Sequence, residues 1–196
     1  LVGTLALVGT PFFSGFYSKD VIIEAVAESQ RAGADYAFWC VMIGVFVTAF
    51  YSFRMYFLVF HGEERFGKAA HDEHHDHHGD HDDEEVSHDH HHGLAPGQKP
   101  HETPWVVTLP LVLLAIPSVV IGFIAIGPML FGDYFKGVIF VDSQAHPAMA
   151  HLAEHFHGAL AFALHGFTAL PFWLMLAGAG TAAVFYLLRP DWPATV

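Results

Sequence analysis

Four long apolar runs govern what this chain can fold into. Leu1 to about Ala27 is the first, interrupted at Pro11 and Gly15. Tyr36 to Phe60 is the second and carries one charge, Arg54. Pro104 to Ile126 is the third and carries none, and Thr168 to Leu188 is the fourth, ending at Arg189 and Pro190. A helix needs ~20 mostly apolar residues to cross ~30 Å of hydrocarbon, so each run is long enough to span a bilayer. Lipid offers no hydrogen-bond partners to the backbone, so each segment must satisfy its own N–H and C=O groups. The expected fold is an all-α, polytopic transmembrane helix bundle with four spans, the first one broken. Tyr36, Trp39, Trp105, Trp173 and Trp192 lie near the segment ends, where amphipathic rings favour the headgroup layer.

Composition agrees with a membrane protein. The chain is 53% hydrophobic and 14% charged, well below the ~25% charged residues of soluble domains. Its net charge of −12 belongs mainly to one link: 12 of its 20 acidic residues and 12 of its 17 histidines lie between His61 and Glu102. The stretch HDEHHDHHGDHDDEEVSHDHHHG has almost no apolar side chains to bury and is expected to be a disordered loop. Its histidines (weak metal candidates His74, His75, His77, His78, His90, His91 and His92) can coordinate zinc, nickel or copper together with carboxylate oxygens. No fixed ligand spacing defines a site, so a solvated loop and a metal-buffering or pH-sensing loop both stand. Nothing in the charge pattern suggests nucleic acid.

The division that follows is 1–62, a broken helix and a second span; 63–103, the His/acidic loop; and 104–196, the C-terminal membrane region. Within the last, His146 to His165 is either an interfacial helix or a surface loop. Pro110, Pro117, Gly178 and Gly180 read as kink and packing features. Cys40, the only cysteine, excludes a disulfide or a Cys-ligated cluster within the chain and reads as a buried packing residue. The chain starts with Leu inside an apolar run, so it is expected to be part of a longer protein.

The stretch GTPFFSGFYSKDVIIEA, Gly9 to Ala25, carries the chemistry. Lys19 lies roughly 7 Å beyond the middle of the first run at 1.5 Å per residue, still within hydrocarbon depth. An ionisable group costs about 2.5–3.5 kcal/mol at the bilayer centre, so it belongs against protein or along a hydrated path. Gly9, Pro11 and Gly15 are able to break the helix, and broken spans in transporters sit at ion sites. Lys19 is the main candidate for taking up and releasing a proton. Asp20, ~100° round the helix, is its neighbour in the relay, and Glu24 shares the face of Asp20. Arg54 is a second candidate, six residues from its span end, where it can also snorkel. A structural ion pair is the alternative to a relay.

GTPFFSGFYSKDVIIEA, followed by TAFYSFRMYFLVFHG at Thr48 to Gly62, resembles the antiporter-like subunit L/chain 5 family of respiratory complex I. The likeness lies in both motifs and their separation, over residues 1 to about 62; the later spans fit it in hydropathy and order. It implies a bundle of sixteen helices and a lateral amphipathic helix, of which this chain holds the broken twelfth through the fifteenth. It implies that Lys19 is the lysine of the broken helix at the exit end of a proton path, with Asp20 the acidic residue after it. It also implies a non-redox subunit of a proton-translocating NADH:quinone oxidoreductase. The chain itself would carry no cofactor, while NADH, FMN, iron–sulfur clusters and quinone would bind partner subunits. Neighbours would be other complex I membrane subunits, above all the adjacent antiporter-like one, within a bacterial or mitochondrial inner membrane. The His-rich link would face the cytoplasm. The large subunit of a multisubunit sodium/proton antiporter is the alternative, with Glu expected in place of Asp20. A metal transporter collecting ions on the His-rich loop is the remote one, since the second and third spans carry no His or Asp.

Overall fold

The computed structural model describes residues 1–62, 102–140, 142 and 147–194. The metal candidates His74, His75, His77, His78, His90, His91 and His92, and the loop that holds them, lie outside the described residues. All regular structure among the described residues is helical. In order these are α1 Val2–Val8, α2 Ser14–Ala27, α3 Ala34–Phe60, α4 Trp105–Ile126, α5 Ala148–His155, α6 Ala159–Gly166, α7 Leu170–Ala183 and the short α8 Asp191–Ala194. Both α4 and α7 finish in a π-helical turn, Gly127–Phe131 and Val184–Leu188.

Three helices are long and apolar enough to cross a membrane: Ala34–Phe60, Trp105–Phe131 and Leu170–Leu188. The first apolar run is the broken one, split into α1 and α2 by residues 9–13. Gly9 ends α1 in the left-handed conformation at φ 83°, which a residue without Cβ adopts at little cost. Pro11 follows, and Phe12 is held at φ 73°, an uncommon state for a bulky residue and a mark of constraint at the break. Gly15 is not a second interruption. It lies inside α2, where a Cβ would overlap the carbonyl oxygen of Ala6. Its role is to let the two half-helices touch.

Pro110 and Pro117 sit within an unbroken α4. Such prolines are tolerated in a membrane helix when side-chain hydroxyls and neighbouring groups compensate the backbone. Ser118 Oγ donates to Leu114 O at 2.8 Å, and Ser14 Oγ, from the start of α2, donates to Ser118 O at 2.9 Å. That bond lies where α2 crosses α4 closely: a Cβ on Gly122 would stand 2.6 Å from Ser14 Cα. Within the stretch that ends at His165, the described residues from Pro147 on are helical in two pieces. These are α5 and α6, separated at Gly158, whose φ of 104° no ordinary helix residue adopts.

Two buried clusters hold α2 in place. Ile23 joins Val8, Met42, Val45, Ala49 and Met175 toward α3 and α7. Phe16, Tyr17 and Val21 join Ile126 and Ala163 toward α4 and α6. Most large apolar side chains of α4 face outward, as a lipid-bounded surface requires. Cys40 is exposed on α3 rather than buried, because the inward face of that helix is taken by Met42, Val45 and Ala49.

Candidate functional site

The break in the first span leaves four carbonyls at the end of α1 without helical partners. Two are satisfied locally. Thr10 N–H donates to Leu5 O at 3.1 Å and Gly9 N–H to Ala6 O at 3.3 Å, the paired pattern of a Schellman cap. The other two belong to Leu7 and Val8. Lys19 reaches back from α2 and donates to both, at 3.5 Å to Leu7 O and 3.4 Å to Val8 O. A single ammonium, with three N–H donors, completes the cap, and it sits where the half-helix dipole presents negative charge. Gly9 keeps the passage clear, since a Cβ there would stand 3.2 Å from Lys19 Cδ. The sequence showed the lysine and the break. It gave no sign of the acceptors, because main-chain carbonyls leave no mark in a sequence.

Asp20 points elsewhere. It is buried, at 5% exposure, as one of two polar residues among the buried set. Lys19 and Asp20 both line a cleft of about 10 Å³ with Val8, Phe16, Val45 and Phe172. A space of that size holds about one water, and two polar partners are at hand. Asp20 is also within electrostatic range of Glu24 and of His165 at the end of α6. Glu24 is half-buried and opens into a separate cavity with Glu28, His151 and His165. Asp20, Glu24 and Glu28 fall at four-residue steps on one face of α2, rising about 6 Å each.

Arg54 is placed outside this group. Its guanidinium lies over the ring of Tyr186 at 5.6 Å, near the end of α7, where a cation–π contact holds an exposed charge against the bundle. Tyr17 and His165 are site residues that sequence reasoning missed. Tyr17 is 2% exposed and packed edge-on against Phe16 and Phe123, and its hydroxyl has no hydrogen-bond partner among the described residues. Removing such a group relieves an unmet desolvation cost, so Tyr17→Phe is expected to leave thermal inactivation of the assembled protein unchanged or slightly raised. A clear fall in that temperature would show that the hydroxyl is bonded.

No family model matches the chain. A NADH-quinone oxidoreductase subunit L from Neisseria meningitidis serogroup A is 52% identical over 196 residues, the whole of this chain and 28% of the relative. This chain belongs to the subunit L/chain 5 family. A NAD(P)H-quinone oxidoreductase chain 5 from Picosynechococcus is 35% identical over 195 residues, 99% of the chain and 26% of the relative. A NADH-ubiquinone oxidoreductase chain 5 from Marchantia polymorpha is 33% identical over 64% of the chain and 15% of the relative. The chain thus spans about a quarter of the length of the first two of these relatives and matches the C-terminal part of subunit L. Likeness to this family extends over the whole chain, so it takes in α4 to α7 and not only the two motifs at residues 1–62. The chain is a multi-pass membrane protein.

Proposed function

We propose that this chain is part of a proton-translocating membrane subunit of a NADH:quinone oxidoreductase, and that Lys19 and Asp20 are steps in its proton relay. The observation that carries the reading is the Lys19 ammonium capping the Leu7 and Val8 carbonyls at the end of a broken span. A lysine held by two weak bonds to carbonyls, beside a one-water cleft shared with a buried carboxylate, is able to change protonation with little rearrangement. Redox chemistry belongs to other subunits, and this one couples it to ion movement. NADH, FMN, clusters and quinone bind those partners, among which the adjacent antiporter-like subunit is the nearest neighbour. The relatives named above bear NADH- or NAD(P)H-quinone oxidoreductase names, which supports this reading over a sodium/proton antiporter.

Two substitutions in the full-length subunit, within its assembled complex, test the relay. Lys19→Ala removes both the cap and the proton carrier. Lys19→Arg keeps a cation for the carbonyls, but arginine does not deprotonate in proteins. Both are expected to abolish NADH-driven vesicle acidification, while Lys19→Arg keeps the complex assembled. Acidification that survives in Lys19→Arg would reduce Lys19 to a structural cap. A loss of sodium/proton exchange with NADH-linked pumping intact would move the function to antiport.

A further inference from the structure

A cavity of about 530 Å³ lies between the end of α2, α5, α6 and the π turn after α4. It is unusual for its titratable walls: Glu24, Glu28, His151, His155, His157 and His165 all line it. No three of the described His, Cys, Asp or Glu side chains converge as a metal site would require. The groups are instead strung out. His151 Nδ1 is 3.6 Å from Glu28 Oε2, on the exposed side, and His157 Nδ1 is 2.7 Å from His155 O. His165, exposed on the last turn of α6, is within electrostatic range of buried Asp20. The cavity therefore begins at Glu24, one turn along α2 from Asp20 on the same face, and ends where α2 leaves the apolar layer.

We propose that His165 carries protons between Asp20 and this cavity, and that the cavity is the aqueous mouth of the Lys19 relay. The proposal rests on the relay reading given above. In the step, a proton leaves the Asp20 carboxyl and passes through water to a ring nitrogen of His165. It leaves the imidazolium for cavity water or the Glu24 carboxylate, restoring the neutral ring, and Asp20 regains a proton from Lys19 through the shared cleft. Imidazole suits the place because its two nitrogens can accept on one side and release on the other near neutral pH. Glu24 from α2 and His151 and His155 from α5 line the cavity with His165, and Asp20 on α2 is within electrostatic range of it. The mouth opens at the face where α2 ends, opposite the face where α3 ends.

The test uses the assembled complex in vesicles, with Lys19→Ala as reference. His165→Gln is expected to lower acidification per NADH oxidised by roughly tenfold or more, in line with losing a positioned acid–base group. Millimolar imidazole in the medium is expected to restore part of it, which a merely structural role would not allow. Acidification retained in His165→Gln but lost in Lys19→Ala would overturn the proposal and leave the relay reading standing. Retention in both would sink the relay reading itself. Loss without recovery by imidazole would also count against His165. Independently, in a Cys40→Ser background, Ala161→Cys, on the cavity wall, is expected to react with a membrane-impermeant maleimide added at the face where α2 ends. An unlabelled Cys at 161 in an active complex would show that the cavity is no aqueous mouth.

Discussion

Gly15→Leu is expected to prevent stable assembly of the subunit. The side chain would have to occupy the space of the Ala6 carbonyl oxygen, which is backbone and cannot swing aside. Overpacking of a filled site costs about 1–3 kcal/mol where side chains can yield, and more where they cannot. Here the obstruction would also push α1 away from α2. The carbonyls of Leu7 and Val8 would then leave the reach of Lys19, already at 3.4–3.5 Å. Stability and relay geometry would fail together. The measurement is the yield of assembled complex on a native gel, with thermal inactivation of NADH:quinone reduction for whatever assembles. Gly15→Ala, with a smaller group, is expected to assemble in reduced amount and inactivate at lower temperature. Full yield of Gly15→Leu would mean that the half-helices do not meet at Ala6.

What the sequence revealed of this region, and what it hid, follows from the kind of signal each feature leaves. The break was legible because Gly9 and Pro11 are backbone signals. Gly15 was read as a third such signal, and the structure makes it a contact instead. A glycine marks equally a turn or a close approach, and only the position of the facing backbone decides. Lys19 was legible as a charge inside an apolar run, and its pairing with Asp20 on adjacent faces follows from helical geometry. That Asp20 lies within electrostatic range of His165 was not legible, since 145 positions of sequence separate them and α6 was undefined. Arg54 was offered for the relay on charge alone, whereas the structure sets it on Tyr186. Cys40 was assigned to the interior by its apolar neighbours. In a membrane helix both faces are apolar, so that argument loses its force.

Gly178 and Gly180 divide in the same way, and the division supplies the second large effect. Both lie in α7 two residues apart, and the sequence treats them alike. A Cβ on Gly178 would collide with the Phe46 carbonyl oxygen and stand 3.0 Å from Ala49 Cβ, where α7 crosses α3. A Cβ on Gly180 would meet nothing within 4 Å. Between membrane helices there is little hydrophobic drive, so close approach over small residues carries much of the association. Gly178→Leu is therefore expected to lift α7 from α3. It would also withdraw Met175, which sits in the cluster around Val8 and Ile23 and accepts from Thr10 Oγ at 3.7 Å. The broken span would lose the helix that backs it, so assembled complex should be scarce and inactivate at a markedly lower temperature. Gly180→Ala should leave both unchanged or slightly improved, because alanine is about 1 kcal/mol better than glycine within a helix. Equal damage from the two substitutions would place the tight crossing elsewhere on α7. Damage from Gly178→Leu alone would fix it at Ala49 and tie the integrity of the Lys19 site to a contact two helices away.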